Sequence, residues 1–152
     1  MGDYLDAAYI QSNCGQPVSI TSPAAGAGFT YTYSVAEAWK LRCLSFQMVT
    51  DANAANRIVY LDIIEPGGLR IGRFSSGFTQ TTALTTIYTF SNDIAAYGAN
   101  AAASIGAPTP NVWLHPGSKI TVGVTNVQVG DQISTILLTA DQVYSGNYPP
   151  GE

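Results

Sequence analysis

Residues 114–141 read LHPGSKITVGVTNVQVGDQISTILLTAD and encode a turn, a strand, a loop and a second strand. Pro116 and Gly117 fit the two central positions of a type II turn, where proline presets φ and glycine accepts a positive φ. In the following ITVGV, apolar residues alternate with small or polar ones, the period of a strand with one buried face. Gly130-Asp131 interrupts the run before the next strand. The stretch therefore predicts an antiparallel sheet.

Similar patterns occur upstream of this stretch. Residues 57–64 (RIVYLDII) are apolar on both faces except at Asp62, which predicts a central strand. The sequence EPGG at 65–68 gives a second type II turn signal, and residues 69–74 follow as the hairpin partner. Between residues 39 and 48 the apolar residues change phase, which predicts a bulge near Cys43-Leu44.

Counting these patterns gives about eight short strands with turn signals between them and little helix. Residues 94–107 (IAAYGANAAASIGA) are the one stretch where alanine favours a helical turn, and their glycines oppose a long helix. The fold class predicted is all-β, a single antiparallel β-sandwich. A jelly-roll connection is the first choice and an immunoglobulin-like arrangement the second.

Three regions are expected along the chain. Residues 1–35 are rich in Gly, Ala, Ser, Thr and Pro and predict an extended N-terminal arm, with short strands around 18–21 and 29–33. Residues 36–144 are expected to form the β-sandwich domain. Residues 145–152 are expected to form a flexible tail.

The composition excludes several kinds of partner. Only 11% of the 152 residues are charged, with six basic against ten acidic, which argues against nucleic-acid binding. The chain contains no run of about 18 apolar residues, the length needed to cross a bilayer. The N-terminus lacks the pattern of a signal peptide. We therefore expect a soluble protein made in a cytoplasm. A surface so poor in charge favours protein neighbours.

The residues suited to catalysis form no recognisable set. His115 is the only histidine and precedes a turn, and no GxSxG motif is present. The sequence does not place the pair Asp62 and Glu65, or the pair Asp131 and Asp141, across a cleft. Asp131 fits a turn in which its carboxylate accepts hydrogen bonds from backbone N–H groups. No catalytic residue is predicted.

Metal and cofactor sites are not predicted either. Cys14 and Cys43 have no CxxC spacing, so we expect two buried thiols, with a disulfide as the alternative. Asp51, Asn53 and Asn56 resemble an oxygen-rich calcium loop, but the glycine and the final glutamate of an EF-hand are missing. We interpret them as a loop between strands.

Aromatic residues leave one binding hypothesis open. Trp39, Trp113 and the nine tyrosines could form a platform on which sugars stack, although aromatic residues on strands are more often core or interface. Tyr31 and Tyr33, two positions apart on one face, are the best candidates for an exposed pair. The alternative is that they pack the arm against a neighbour.

Three motifs resemble a known group of proteins. Thr50–Arg57 leads into an apolar strand, Leu114–Val122 reads Leu-x-Pro-Gly-Ser-x-Ile-x-Val, and Gly130–Ile133 reads Gly-Asp-Gln-Ile. Together with the strand layout over residues 37–143, they resemble small structural proteins of tailed-bacteriophage virions.

The resemblance implies a non-enzymatic virion component, such as a capsid decoration, head-fibre or tail-associated protein. Such a protein would form homo-oligomers and dock on major capsid or tail proteins, within virions assembled in the host cytoplasm. Edge strands and the arm are the expected contact surfaces. The alternative is a carbohydrate-binding β-sandwich module that attaches to a host glycan.

Overall fold

The computed structural model describes residues 16–33 and 38–143, and nothing is stated of the structure of residues 1–15, 34–37 and 144–152. The described residues form ten strands and no helix. The strands are β1 (Gln16–Ile20), β2 (Phe29–Thr32), β3 (Ala38–Val49), β4 (Arg57–Ile64), β5 (Arg70–Gln80), β6 (Thr85–Ser91), β7 (Ser104–Pro108), β8 (Val112–Leu114), β9 (Lys119–Val124) and β10 (Gln132–Val143). No helix able to cross a membrane is therefore found within these ranges.

The strands pack as two sheets with jelly-roll order. The six-stranded sheet has the order β1-β10-β3-β6-β7, with β8 pairing the first part of β3, and the four-stranded sheet has the order β2-β9-β4-β5. Without β7 and β8, the remaining strands numbered along the chain give 1-8-3-6 and 2-7-4-5. This is the eight-stranded double Greek key of a jelly roll. The predicted all-β sandwich is confirmed; only β7, which runs parallel to β6, departs from antiparallel pairing.

The core lies between the sheets and is centred on β3. Leu44, Phe46 and Met48 alternate along that strand and are almost completely buried. The Phe46 ring stacks on Tyr88 at 5.6 Å between centroids and meets Phe29 of the opposite sheet edge-on at 5.9 Å. Aromatic contacts of this kind stabilise a core beyond their area of burial.

The change of phase predicted in β3 is a bulge. Thr139 of β10 pairs with Cys43 and Ala140 pairs with Leu41, so Arg42 is the extra residue. The bulge turns Arg42 and Cys43 toward the outer face and returns Leu44 to the core. It also marks the point where the neighbour of β3 changes from β8 to β6.

The two predicted turns have different outcomes. At residues 115–118 the Ser118 N–H donates to the His115 carbonyl and Gly117 has a φ of 87°, which confirms the type II turn. At residues 65–68 the positive φ of 89° falls on Gly68, the last turn residue, so the predicted type II turn is wrong there. A type II turn would need the positive φ at Gly67.

Residues 16–33, within the segment expected to form an arm, supply one edge strand to each sheet. β1 pairs with β10 in the six-stranded sheet and β2 pairs with β9 in the four-stranded sheet. Both strands lie where the sequence predicted short strands. Residues 1–15 of the expected arm and the expected tail at 145–152 lie outside the described residues.

Candidate functional site

Arg57, Asp131 and Asp51 form a buried ion cluster at one end of the sandwich, hereafter the Arg57 cluster. Arg57 is fully buried and donates from Nε and Nη2 to the two carboxylate oxygens of Asp131, both at 2.9 Å. Its Nη2 also donates to Oδ1 of Asp51 at 2.7 Å. Nη1 donates to the carbonyls of Asn53 and Ala55, both at 3.0 Å. All five guanidinium N–H groups thus have acceptors, as a buried charge requires.

The carboxylates of the Arg57 cluster also hold loop backbone. Asp131 accepts from the N–H groups of Asp51 at 2.9 Å and Gln128 at 2.8 Å, which confirms its predicted turn role. Burial opposes the ionisation of Asp51. The hydrogen bonds from Asn53 and Gly130 and the Arg57 charge outweigh that effect and hold the pKa of Asp51 below its ordinary value.

The Arg57 cluster explains the calcium-like loop and two of the phage-like motifs. Asp51 accepts hydrogen bonds from the side chains of Arg57 and Asn53. The backbone carbonyl of Asn56 accepts a hydrogen bond from the Asn126 side-chain amide. Motifs at 50–57 and 130–133 therefore meet in space as one structural unit. Within residues 16–33 and 38–143, no group of three or more His, Cys, Asp or Glu could hold a metal ion.

Of the other candidate residues, Glu65 and His115 line one opening, described below, whereas Asp62 and Asp141 do not line it. Asp62 lies on the outer face of the four-stranded sheet and accepts two hydrogen bonds from Arg73, at 2.7 and 2.6 Å. Asp141 pairs with Arg42 at 2.9 Å on the other sheet. His115 is exposed in the turn before β9. Each of these aspartates is thus neutralised by an arginine.

The two tryptophans of the aromatic platform that the sequence left open do not share a face. Trp39 pairs with Leu114 and Lys40 with Trp113, so alternation puts the two tryptophans on opposite faces of the sheet. Trp39 packs against Tyr33 at 5.5 Å between ring centroids.

The prediction that Tyr31 and Tyr33 form an exposed pair is wrong. Tyr33 is 1% exposed and Tyr31 packs half-buried against the core. Two-residue spacing places the ring of Tyr31 in β2 and that of Tyr33, just after β2, on one side of the chain, and that side faces the core.

A cleft of about 430 Å³ opens at the opposite end of the sandwich from the Arg57 cluster, hereafter the end cleft. Its walls are the hairpin of β4 and β5 and the segment around β8. The lining is mostly apolar, with Ile63, Ile71, Phe74 and Trp113, and carries Glu65, Asn111 and His115 as polar groups.

Local backbone geometry shapes the end cleft. Ile63 pairs with Gly72 and Ile64 with Arg70, which leaves Ile71 as the extra residue of a bulge, 56% exposed. A Cβ on Gly72 would come within 2.8 Å of the Phe74 ring, so glycine lets that ring lie over the strand. A bulge and a glycine thus aim apolar side chains into the opening.

The outer face of the six-stranded sheet carries an uncharged depression of about 280 Å³, hereafter the outer patch. Besides the buried Phe46, its lining side chains are the half-buried Ser45 and Gln47 and the exposed Ile87, Thr135 and Leu137. Ile87 is 47% and Leu137 41% exposed, which is unusual for large apolar residues on a sheet face open to water.

Strained backbone shapes the outer patch. Ser134 pairs with Gln47 and Leu137 with Ser45, so β10 has one extra residue between them. Thr135, with a φ of 51°, lies in that bulge in the left-handed region, which is a rare conformation for a β-branched residue. The bulge brings Leu137 to the outer face while Ile136 and Leu138 remain in the core.

The outer patch was not predicted from the sequence, although a signal for it exists. Residues 136–138 are Ile-Leu-Leu, and a strand with one buried face cannot bury three successive apolar side chains. One of them had to face outward. The end cleft had no comparable signal, because its walls come from segments about 40 residues apart.

Cys43 is a free, half-buried thiol on the outer face, and burial raises its pKa. Its possible partner Cys14 lies outside the described residues. The sequence predicted a buried thiol, and Cys43 is only half-buried.

The outer face of the four-stranded sheet is polar, and Arg73 contacts both Tyr60 and Asp62 there. Arg73 lies over the Tyr60 ring at 3.9 Å, and the hydrogen bonds that it donates to Asp62 raise the pKa of Arg73. Tyr60 in turn lies against Gly123, where a Cβ would clash with the phenol oxygen. Arg70 lies 3.7 Å from the same Asp62 carboxylate, so two arginines share one acid on this face.

Comparison with known proteins adds no relative: no protein-family model matches the chain, and a search of curated proteins finds no match.

Proposed function

We propose that this protein is a non-enzymatic structural component of a bacteriophage virion, either a capsid decoration or a minor head or tail protein. It acts by self-association and by docking on the capsid or tail lattice, in particles assembled in the host cytoplasm. The motif resemblance supports the virion assignment. Jelly rolls are common in viral capsid proteins, but also in lectins, so the fold alone is only an analogy.

The observation that carries the proposal is the outer patch. None of the side chains that line it is charged, so two copies can face each other without burying an unpaired ion. Hydroxyl and amide groups of Ser45, Gln47 and Thr135 surround the two apolar side chains. Apolar contacts within a polar rim are the usual composition of a protein interface.

The size of the patch indicates how it would work. Covering the exposed parts of Ile87 and Leu137 is worth about 1 kcal/mol each, so two facing copies gain about 4 kcal/mol. This matches a dissociation constant of about 1 mM before the cost of association is counted. A single patch contact is therefore weak, and stable assembly requires several contacts per subunit, as in an oligomer or lattice.

Sedimentation at protein concentrations up to about 1 mM tests self-association. The native chain should show a concentration-dependent rise in mass, and Leu137→Asp should abolish it by placing a charge in the patch. Val129→Asp is the matched control, because Val129 is 82% exposed and lies in the β9–β10 loop away from the patch. A native chain that stays monomeric would contradict the proposal.

The virion assignment has its own test. Quantitative mass spectrometry of purified phage particles should find the chain in a fixed ratio to the major capsid or tail protein. Its loss during particle purification would show that it is not a virion component.

A carbohydrate-binding module for host-surface adhesion is the second candidate, and the end cleft favours it. Trp113 is 45% exposed beside Asn111 and Glu65, and an exposed indole flanked by polar groups can stack on a sugar. A glycan array should then give binding that Trp113→Ala removes and Val129→Ser retains. An array without any binder would rule this candidate out.

A further inference from the structure

We propose that the outer face of the four-stranded sheet binds an acidic polysaccharide, and that Arg70 and Lys119 contact carboxylate groups of its sugars. This face is on the opposite side of the sandwich from the outer patch, which lies on the six-stranded sheet. Binding here therefore does not depend on the proposed virion function. It also uses different residues from the end cleft, so the glycan candidate based on Trp113 can fail without affecting it.

Positive charge is concentrated on this face. Three of the chain's six basic residues, Arg70, Arg73 and Lys119, occupy its outer positions. Asp62 is the only acid at an outer position of the described strands of this sheet. Three positive charges against one negative charge leave the face cationic, whereas the whole chain has a net charge of -4. A surface of opposite sign to the rest of the molecule attracts an anionic partner.

The strand register places Arg70 and Lys119 on either side of Ile64. Ile64 of β4 pairs with Arg70 of β5 and with Lys119 of β9, so the three side chains project from the same face. Two strand spacings of about 4.8 Å separate the backbones of Arg70 and Lys119 by about 10 Å. Both side chains are exposed. Two cations at this distance can contact two different carboxylates of one extended polymer.

Arg70 and Lys119 have side-chain donors that no described residue uses. The Asp62 carboxylate accepts two hydrogen bonds from Arg73, whereas Arg70 lies 3.7 Å from it, beyond hydrogen-bonding distance. Lys119 forms no ion pair with any residue in the ranges 16–33 and 38–143. A guanidinium binds a carboxylate through two parallel hydrogen bonds, and an ammonium adds a compact charge, so this pair suits carboxylate groups.

Neutral hydroxyl groups lie beside these charges. Thr30 of β2 is opposite Thr121 of β9, with 3.0 Å between their hydroxyl oxygens, and Thr32 is opposite Lys119. Hydroxyl groups both donate and accept hydrogen bonds, so they can bind the hydroxyls of a sugar. The face therefore offers partners for the neutral groups of a glycan as well as for its carboxylates.

An acidic polysaccharide fits this face better than an acidic protein does. Protein interfaces contain an apolar core, but the isoleucines at the outer positions here, Ile58 and Ile64, are half-buried. The exposed Ile71 of β5 lines the end cleft instead. A polysaccharide binds through charges and hydroxyl groups without such a core. Because its carboxylates repeat along the polymer, one molecule contacts Arg70 and Lys119 together and binds more tightly than a single carboxylate.

Binding of an oligomer of galacturonic acid, which carries a carboxylate on each sugar, tests the proposal. Isothermal titration calorimetry of the full chain measures the dissociation constant at about 0.05 M NaCl, where screening of exposed charges is weak. A dextran oligomer is the neutral control, and an oligoglutamate of equal charge is an acidic polymer without sugars. Arg70→Gln/Lys119→Gln removes the two proposed contacts. Lys40→Gln/Arg42→Gln removes the same charge from β3 of the other sheet.

The native chain should bind the galacturonic acid oligomer, and Arg70→Gln/Lys119→Gln should weaken binding by at least about tenfold, since losing one charge-assisted hydrogen bond has about that effect. Asp62→Asn should strengthen binding, because it removes the acid that competes for Arg73. Lys40→Gln/Arg42→Gln should bind as tightly as the native chain. Circular dichroism checks that each variant is folded.

Three results would overturn the proposal. The first is no binding of the galacturonic acid oligomer, or binding no tighter than that of dextran. The second is equal affinity of the native chain and Arg70→Gln/Lys119→Gln, because the two cations would then serve only to keep charge on the sheet. The third is equal affinity for the oligoglutamate, because recognition would then require charge alone and the partner would be an acidic protein.

Discussion

Replacing Asp131 by alanine should destabilise the protein more than other changes of a single acid. The substitution removes both hydrogen bonds from Arg57 to the Asp131 carboxylate and leaves the N–H groups of Asp51 and Gln128 without this acceptor. Arg57 remains fully buried with only part of its charge compensated. Breaking a buried ion pair in this way costs about 3–5 kcal/mol.

The free energy of unfolding, measured by urea denaturation, tests this magnitude. A loss of about 4 kcal/mol at an unchanged m-value of about 2 kcal/mol/M lowers the midpoint by about 2 M urea. The control is Asp93→Ala, because Asp93 is exposed and forms its 3.3 Å ion pair with a partly exposed Arg42. That change should cost about 0.5 kcal/mol or less. If Asp131→Ala does not fold, Asp131→Asn provides a milder version of the same test.

A double variant separates the ion pair from simple loss of packing. Arg57→Met/Asp131→Ala removes the unpaired charge, so it should be more stable than the sum of the two single changes predicts, by at least about 1 kcal/mol. Additive effects, or an Asp131→Ala protein as stable as Asp93→Ala, would refute this account of the Arg57 cluster.

Four further predictions concern single positions. Gly123→Ala should lower the free energy of unfolding by about 1–3 kcal/mol, because the new Cβ displaces the Tyr60 ring; thermal unfolding would show whether the strand tolerates it. Thr135→Asn should raise that free energy by about 0.5–1 kcal/mol, since asparagine tolerates a positive φ better, and an unchanged midpoint would show that Thr135 is not strained. The pKa of Asp51 is lowered in the folded protein, so the Asp51 carboxylate stabilises the fold above its ordinary pKa, and this contribution is lost as pH falls through the lowered pKa. The free energy of unfolding, measured from pH 7 down to about 2, should therefore decline less steeply at the acid end in Asp51→Asn than in the native chain. Cys43 should react slowly with iodoacetamide near neutral pH and faster in urea, because burial raises its pKa; mass spectrometry of the labelled peptide measures both rates.

Strand positions were predictable where side-chain patterns are strong. Residues 57–64 are apolar on both faces, and β4 has those bounds at the centre of its sheet. The phase change in β3 located its bulge within one or two residues. By contrast, β7 has the sequence SIGAP, whose small side chains give no period, and its first four residues lie in the stretch considered for a helical turn.

Faces and distant partners were not predictable from local patterns. The spacing of Tyr31 and Tyr33 places them on one side of β2 but does not say which side faces the core. The turn role of Asp131 was clear from Gly130-Asp131, whereas its partner Arg57 lies 74 residues away. Sequence periodicity reports local conformation, and the pairing of the Arg57 cluster depends on how the sheets assemble.

The Arg57 cluster also bears on how long a folded molecule persists. Its central contact joins residues 74 positions apart, so we expect it to form late, after both sheets have come together. An interaction made late in folding leaves the folding rate nearly unchanged and slows unfolding instead. In the virion role that we propose, a subunit would not be replaced, and a low unfolding rate would protect it more directly than a large equilibrium stability.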